Sequence, residues 1–192
     1  MKNSKLNLYC AVFFLLITSI TFAQNKWSAE FRPNINFPTE DLGNSNIKTG
    51  FGFEATIGYR FLEHLHAYAG WGYNTFAIED AEADFDETGY TFGLQFIHPL
   101  GNSEDLSYLL RAGAIYNHLE LEDGNGDLID DSNHGFGWQL EAGLDYKLGN
   151  NWSLRPSIRY RSLSRDLEFI QNQTTEVDLN YLSFGLGISK SF

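Results

Sequence analysis

Large apolar residues alternate with small or polar residues over the last stretch of the chain. Leu182, Phe184, Leu186, Ile188 and Phe192 fall on one face, and serines and glycines occupy most of the positions between them. A period of two with one apolar face and one polar face indicates a β-strand between two different media. Lys190 is the one break on the apolar face.

The same alternation recurs along the chain and predicts eight strands. In order they cover Lys26–Phe37, Thr49–Phe61, Leu65–Ile78, Thr88–His98, Leu106–Leu119, Gly135–Tyr146, Trp152–Leu163 and Val177–Phe192. The short connections Leu62–His64, Pro99–Asp105 and Lys147–Asn151 alternate with the longer polar connections Pro38–Lys48, Glu79–Glu87, Glu120–His134 and Ser164–Glu176. We therefore expect an all-β, eight-stranded, antiparallel up-and-down barrel, with both chain ends on the side of the short turns.

Alternation alone fits two kinds of barrel. A water-soluble, lipocalin-like barrel turns its apolar face inward, whereas a transmembrane barrel turns it outward. Aromatic residues favour the transmembrane barrel, because those on the apolar face gather near the two ends of the strands, as at a bilayer interface. One predicted belt contains Trp27, Tyr59, Phe61, Phe96, Tyr108, Tyr146, Trp152 and Phe192, and the other contains Phe37, Phe51, Tyr90, Tyr116, Phe136, Trp138, Tyr160 and Tyr181.

The opposite face carries charged residues and glycines. By parity its charges are Glu30, Arg32, Glu54, Arg60, Arg111, Glu141, Asp145, Arg155, Arg159 and Arg161. Such groups suit a narrow interior in which charges pair, and the glycines make room for them. We expect a plugged, polar lumen, with Pro33 and Pro156 accommodated by bulges in their strands.

The N-terminal residues 1–23 have the pattern of a secretory signal peptide. Lys2 and Lys5 precede the apolar run 11–17, and Thr21-Phe-Ala23 supplies a cleavage site. We expect a single barrel domain over residues 24–192. Cys10 lies in the signal, so the mature chain would have no thiol. Removing Lys2 and Lys5 leaves 11 basic against 25 acidic residues, a net charge of −14 with histidine neutral, which disfavours nucleic acid as a partner.

The signal peptide, eight strands, alternating loop lengths and terminal Phe192 together resemble the small OmpA/OmpX-type, porin-like outer-membrane barrel family. The resemblance implies an integral protein of a Gram-negative outer membrane with periplasmic termini and four extracellular loops. It also implies lipid and lipopolysaccharide as surroundings, a monomeric state, and Phe184, Leu186, Ile188 and Phe192 as a signal for the barrel-assembly machinery.

The third long loop contains a candidate cation site. Asp123, Asn125 and Asp127 at alternate positions, with Asp130 or Asp131, could surround Ca²⁺ with oxygens. The loop departs from the EF-hand pattern, which has Gly where Leu128 stands and Glu where His134 stands. The alternative is a solvated acidic hairpin tip in which Asp-Gly and Asn-Gly form ordinary turns. We expect no other cofactor.

Function is therefore expected at the membrane and the cell surface. The main hypothesis is a non-enzymatic barrel that acts in membrane integrity or surface binding through acidic loops. One alternative is a lipid A-modifying deacylase or acyltransferase, for which His118, His134, Ser132 and Glu120 are the candidates. The other is a narrow gated porin. His64, His66 and His98 are expected at the periplasmic end.

Overall fold

The computed structural model describes residues 26–40, 47–79, 83–169 and 173–192, so the predicted signal peptide with Cys10 lies outside the described residues. The strands are β1 Trp27–Pro38, β2 Gly50–Arg60, β3 Leu65–Ala77, β4 Ala83–Pro99, β5 Leu106–Asp123, β6 Leu128–Asp131, β7 Gly135–Gly149, β8 Trp152–Phe169 and β9 Gln173–Ser191. None of the described segments forms a helix long and apolar enough to cross a bilayer.

Eight of these strands close into an antiparallel barrel. Neighbours in sequence pair with each other, β4 pairs with β5, β5 pairs with β7, and β1 closes the ring against β9. The short β6 stands outside the ring and pairs with the outer end of β5, as the return arm of a hairpin. The predicted eight-stranded up-and-down barrel is confirmed.

The apolar face of the barrel points outward. Ile57, Leu94 and Leu140 each expose half or more of their surface, whereas the alternate positions are buried. Opposed residues of β3, β4, β5 and β7 form one continuous aromatic row that marks the outer edge of the apolar band: Trp71, Tyr90, Tyr116 and Phe136. Such a row suits the level at which aromatic side chains meet lipid headgroups. Tyr181 was wrongly assigned to the outer belt: it is fully buried inside the barrel.

Beyond this aromatic row the strands continue into what sequence alone assigned to loops. Ala83–Glu87 belongs to β4, residues 120–123 belong to β5, and β8 and β9 pair as far as Phe169 and Gln173. The predicted loop boundaries were wrong because the polarity of the two faces inverts at this level. Along β5 the outward residues become His118 and Glu120, while the inward ones become apolar.

The two prolines lie within strands without the predicted bulges. Pro33 pairs with Phe53 on β2, and the pairing with β9 skips Arg32 and Pro33 but resumes in the same register. Pro156 pairs with Leu186, and the β7 pairing is likewise interrupted and resumed in register. Each proline therefore interrupts the pairing with only one of its two neighbouring strands. That strand is the one to which the missing N–H would donate.

The turn between β7 and β8 is tight. Asn150 and Asn151 connect β7 to β8 with φ values of 51° and 63°, the left-handed conformation that a two-residue hairpin turn requires. The Lys190 ammonium donates to the Asn150 carbonyl over 2.6 Å and lies 4.9 Å from the centre of the Trp152 ring. Lys190 thus bends its charge away from the lipid.

Candidate functional site

Charged side chains fill the middle of the barrel interior and pair across it. Glu30 on β1 and Arg111 on β5 are four strands apart in either direction around the ring, so they start from opposite walls. Arg111 Nη2 donates to Glu30 Oε2 over 2.6 Å, and Arg155 Nη1 donates to the same oxygen over 2.8 Å. One carboxylate therefore ties β1 to β5 and β8 through the centre of the bore.

Glu54 on β2 forms ion pairs with three guanidinium groups. Arg32, Arg159 and Arg161 approach its carboxylate at 2.6, 2.8 and 2.5 Å. Arg32 also donates to Glu141 on β7, three strands away around the ring. These side chains are almost completely buried, so each charge depends on its partners rather than on water.

Opposite charges balance within this network. Among the described residues, the ion-paired groups of the interior are Arg32, Arg111, Arg155, Arg159 and Arg161 against Glu30, Glu54, Glu87, Glu141 and Asp145. Nine of the ten charged residues assigned to the lumen from sequence are in this set. The tenth, Arg60, lies at the periplasmic mouth.

Glu87 is the member of the network that sequence analysis missed. It was placed in a loop, yet it lies on the inner face of β4 and accepts from Arg161 Nη1 over 3.0 Å. The hydroxyl of Tyr181 on β9, directly opposite β4 in the ring, donates to the same carboxylate. The signal that identifies Glu87 is the unbroken alternation of Phe85, Glu87 and Gly89 on the inner face.

The outer end of the interior is apolar, which corrects the expectation of a polar lumen along its whole length. The buried cluster consists of Phe76, Ile78, Phe85, Ile115, Leu119, Leu121, Leu163, Leu179 and Tyr181. Two of its rings, those of Phe76 and Tyr181, contact each other edge to face, with 5.1 Å between their centres. We call the network of paired charges the ionic layer. A hydrophobic core like that of a soluble protein therefore covers the ionic layer at the outer end of the barrel.

The periplasmic end of the interior is an open, polar cavity of about 620 Å³. Arg60, His66, Asp145 and Arg155 line it, and Asp145 accepts from Arg155 Nε over 2.6 Å. The ion pairs of Glu30 with Arg111 and Arg155 close the cavity on the side of the barrel interior. It is a vestibule that leads to the ionic layer.

A groove of about 590 Å³ lies on the outer wall of the barrel. Leu94, Ala112, Ala142 and Ile158 line it, and the small alanines create its depth. Its apolar lining faces outward in the band between the aromatic belts, so it belongs to the surface that acyl chains cover.

The β5–β6 hairpin uses part of the predicted calcium set to build its turn. Asp123 Oδ1 accepts from the backbone N–H groups of Asp127 and Asn125, each over 2.9 Å. These hydrogen bonds hold the pKa of the Asp123 carboxyl below its usual value. Asp130 Oδ1 accepts from the Asp131 N–H, and the Asp131 carboxylate faces His118 instead. The five residues are thus divided between two places, and calcium binding stays a prediction.

His118 lies on the outer face of β5 beside two carboxylates. Its Nδ1 is 3.1 Å from Asp131 Oδ1 and 3.8 Å from Glu120 Oε1. The Ser132 hydroxyl accepts from the Leu119 N–H over 2.8 Å and donates to the Asn133 carbonyl over 3.0 Å. The serine that a hydrolase would need is therefore engaged by the backbone in this geometry.

Carboxylates crowd the outer face of the neighbouring strands. Asp84 is opposed to Glu122 and Asp86 to Glu120 across β4 and β5. The charge of Asp86, followed by burial and by the charge of Glu120, raises the pKa of the Glu122 carboxyl. Like charges in opposed positions destabilise a sheet unless a cation neutralises them.

The C-terminal apolar residues lie where the alternation puts them. Phe184, Leu186, Ile188 and Phe192 are exposed on the outer wall. The Phe192 N–H donates to the Trp27 carbonyl over 2.8 Å, so the last residue closes the ladder between β9 and β1.

A closed eight-stranded barrel with an apolar outer wall and a charged interior defines an integral outer-membrane β-barrel protein. The family model described as the outer membrane protein beta-barrel domain matches residues 10–192, and the chain belongs to this family. It is an integral protein of a Gram-negative outer membrane, where lipopolysaccharide forms part of its surroundings.

Solved structures agree with this fold. Neisserial surface protein A superimposes with a TM-score of 0.62 at 16% identity, over 86% of this chain and 96% of that chain. OprG from Pseudomonas aeruginosa gives 0.60 at 15% identity, over 88% and 98%. Outer membrane protein W from E. coli gives 0.58 at 16% identity, over 88% and 98%. At these identities the likeness concerns the fold. No curated protein sequence matches the chain.

Proposed function

We propose that the protein is a closed, non-conducting outer-membrane barrel that acts in membrane integrity and in surface binding through its acidic extracellular end. The observation that carries this proposal is the double closure of the interior. The Glu30–Arg111 pair crosses the bore at 2.6 Å, and a separate apolar cluster fills the space outside it. An eight-stranded barrel is only wide enough to be filled by side chains, so each layer blocks ion flow.

The surface role rests on the carboxylates beyond the aromatic row. The outer face of β4 and β5 carries Asp84, Glu120 and Glu122, and the buried Asp86 lies opposite Glu120. These charges repel the phosphates of lipopolysaccharide and attract divalent cations, which then link the protein to its lipid surroundings.

The proposal extends to assembly and to chemistry. The exposed apolar residues of β9 with Phe192 serve as the signal for the barrel-assembly machinery, and the barrel acts as a monomer. The function is non-enzymatic, since the Ser132 hydroxyl already bonds to two backbone groups and His118 faces carboxylates.

A complementation experiment tests the integrity role. A strain that lacks the protein should become more sensitive to a large antibiotic and to detergent, and the wild-type gene should restore resistance. A rim variant with Asp84→Asn, Glu120→Gln and Glu122→Gln should restore it poorly.

The control variant carries the same kind of change at the other end of the barrel, Glu63→Gln with Asp105→Asn, and should restore resistance fully. Equal sensitivity with and without the protein would refute the integrity role. Full rescue by the rim variant would remove the acidic end from the proposal.

A further inference from the structure

Three side chains that commonly bind metals converge at the base of the β5–β6 hairpin. His118 and Glu120 are two residues apart on the outer face of β5, and Asp131 on β6 is opposed to Glu120. One ligand atom from each of the three residues lies within 4.8 Å of the others. Among the described residues, His118 is the only ion-pairing partner within 4.0 Å of either carboxylate.

The spacing of these atoms fits a small cation. Bonds of about 2.0–2.2 Å from zinc to nitrogen and oxygen put tetrahedral ligands about 3.3–3.6 Å apart. The separations of His118 Nδ1 from Asp131 Oδ1 and Glu120 Oε1, 3.1 and 3.8 Å, lie on either side of that range. The two carboxylates lie within 4.8 Å of each other, so the Glu120 and Asp131 side chains must rotate closer together for all three ligands to reach one ion.

A fourth carboxylate supplies independent support. Asp86 on β4 is opposed to Glu120, so Asp86, Glu120 and Asp131 form one row across three strands. Asp86 is only 6% exposed, and its Oδ1 has no hydrogen-bond partner among the described residues. Its Oδ2 accepts from the Tyr73 hydroxyl over 2.5 Å. A buried, half-satisfied carboxylate beside two more acids is costly unless a cation is near.

We propose that His118, Glu120 and Asp131 bind a divalent transition-metal ion of the zinc class on the outer face of the barrel, with Asp86 as the neighbouring anion that strengthens the site. One imidazole with two carboxylates is a donor set that suits zinc better than calcium, which prefers six or more oxygens. Three protein ligands leave a fourth position for water or a phosphate oxygen.

His134 positions the ligand without joining the site. Its ring stacks on the His118 ring at 4.4 Å between centres and 12° between planes, and its other neighbour is Tyr116 at 5.2 Å. Two parallel stacked imidazoles do not point their nitrogens at one ion. The stack instead fixes the plane of the His118 ring.

The proposed metal site lies close to the aromatic row on the outer face of the barrel. His118 follows Tyr116 of the aromatic row by two residues, about 7 Å along the strand, at the level of the lipid headgroups. The inference deepens the proposed surface role and rests on that role for its biological meaning. Metal binding is measured on the purified protein, so its failure and a failure of the integrity assay are separate results.

Calorimetric titration of Zn²⁺ into the purified barrel in detergent micelles tests the site. We expect one ion per chain, no displacement by millimolar Ca²⁺, and an intense visible spectrum with Co²⁺ that reports tetrahedral geometry. His118→Ala and Glu120→Gln should each weaken binding about tenfold or more. Both residues lie on the outer face, so heat-modifiable migration on a gel should stay unchanged.

The matched control is Glu122→Gln, which removes the same charge from the next outward position of the same strand. It should weaken binding less than about threefold, because it changes only the local field. His134→Ala should weaken binding and His134→Phe should restore it. Absence of heat with Zn²⁺, equal binding of Ca²⁺, or equal effects of Glu120→Gln and Glu122→Gln would each overturn the proposal.

Discussion

Glu30 and Arg111 stand on opposite walls of the barrel, four strands apart both ways around the ring, and their side chains meet at 2.6 Å. Both are almost fully buried. Because the two side chains start from opposite walls and touch, together they span the full width of the bore. The barrel is therefore braced and blocked by the same pair.

Breaking this pair should destabilise the barrel strongly. Arg111→Met leaves Glu30 with Arg155 as its close partner and should lower the free energy of unfolding by about 3–5 kcal/mol. Urea titration in micelles, followed by tryptophan fluorescence, measures it. The double variant Glu30→Gln with Arg111→Met should recover part of the loss.

Arg60→Met is the control for this experiment, because Arg60 lines the open periplasmic cavity. It should change stability by less than about 1 kcal/mol. Equal losses for Arg111→Met and Arg60→Met would contradict a special role for the cross-bore pair.

Tyr181 should matter through its hydroxyl. Tyr181→Phe removes the bond to Glu87 at the boundary of the ionic and apolar layers and should cost about 1–3 kcal/mol. The same change at Tyr160, whose neighbour Trp138 is 5.5 Å away on the outer wall, should cost less than about 0.5 kcal/mol. A larger effect at Tyr160 would contradict the inward position of Tyr181.

The apolar layer makes its own contribution to stability. Phe76 is completely buried against Tyr181, so Phe76→Ala should lower the free energy of unfolding by about 3–5 kcal/mol. Phe51, which exposes 58% of its surface on the outer wall, is the matched control, and Phe51→Ala should cost clearly less. If both substitutions had the same effect, the outer end of the interior would not be a packed core.

The hairpin turn should be sensitive to acid. The Asp127 and Asn125 N–H groups bond to the Asp123 carboxylate and hold its pKa below the ordinary value of 3.8. The turn contacts should therefore be intact above pH about 4 and weaken as the pH falls through the lowered pKa.

NMR detects this change in the Asp127 amide shift, which should titrate with a midpoint below 3.8. Asp123→Asn keeps an oxygen acceptor and should abolish the titration. A midpoint above 3.8 would show that the carboxylate does not accept these bonds.

The membrane-crossing parts of the strands could be predicted because alternation between lipid and lumen is a local pattern. Their outer ends could not be predicted in the same way. Beyond the aromatic row, Asp84, Asp86 and Glu120 point outward while Phe85 and Leu119 point inward, so the polarity of each face inverts without a break in the strand. An acidic stretch with apolar residues at every second position is therefore easily assigned to a loop.

The alternation of inward and outward positions along each strand predicted which charged residues face the lumen. It did not predict which of them form ion pairs with each other. Which arginine meets Glu54 or Glu87 depends on the tilt of the strands and on side-chain reach across the bore, and neither is a property of a sequence window. The same holds for His118 and Asp131, which meet because the turn at Asp123 sets the register of β5 against β6.

Electrical recording in planar lipid bilayers tests the closed barrel most directly. Purified wild-type protein should insert without resolved conductance steps at physiological salt, and Arg111→Ala should also remain silent because the apolar layer still closes the bore. Reproducible steps from the wild type, with an amplitude that changes in Arg111→Ala or Glu141→Ala, would contradict the account, since these residues would then line a conducting path.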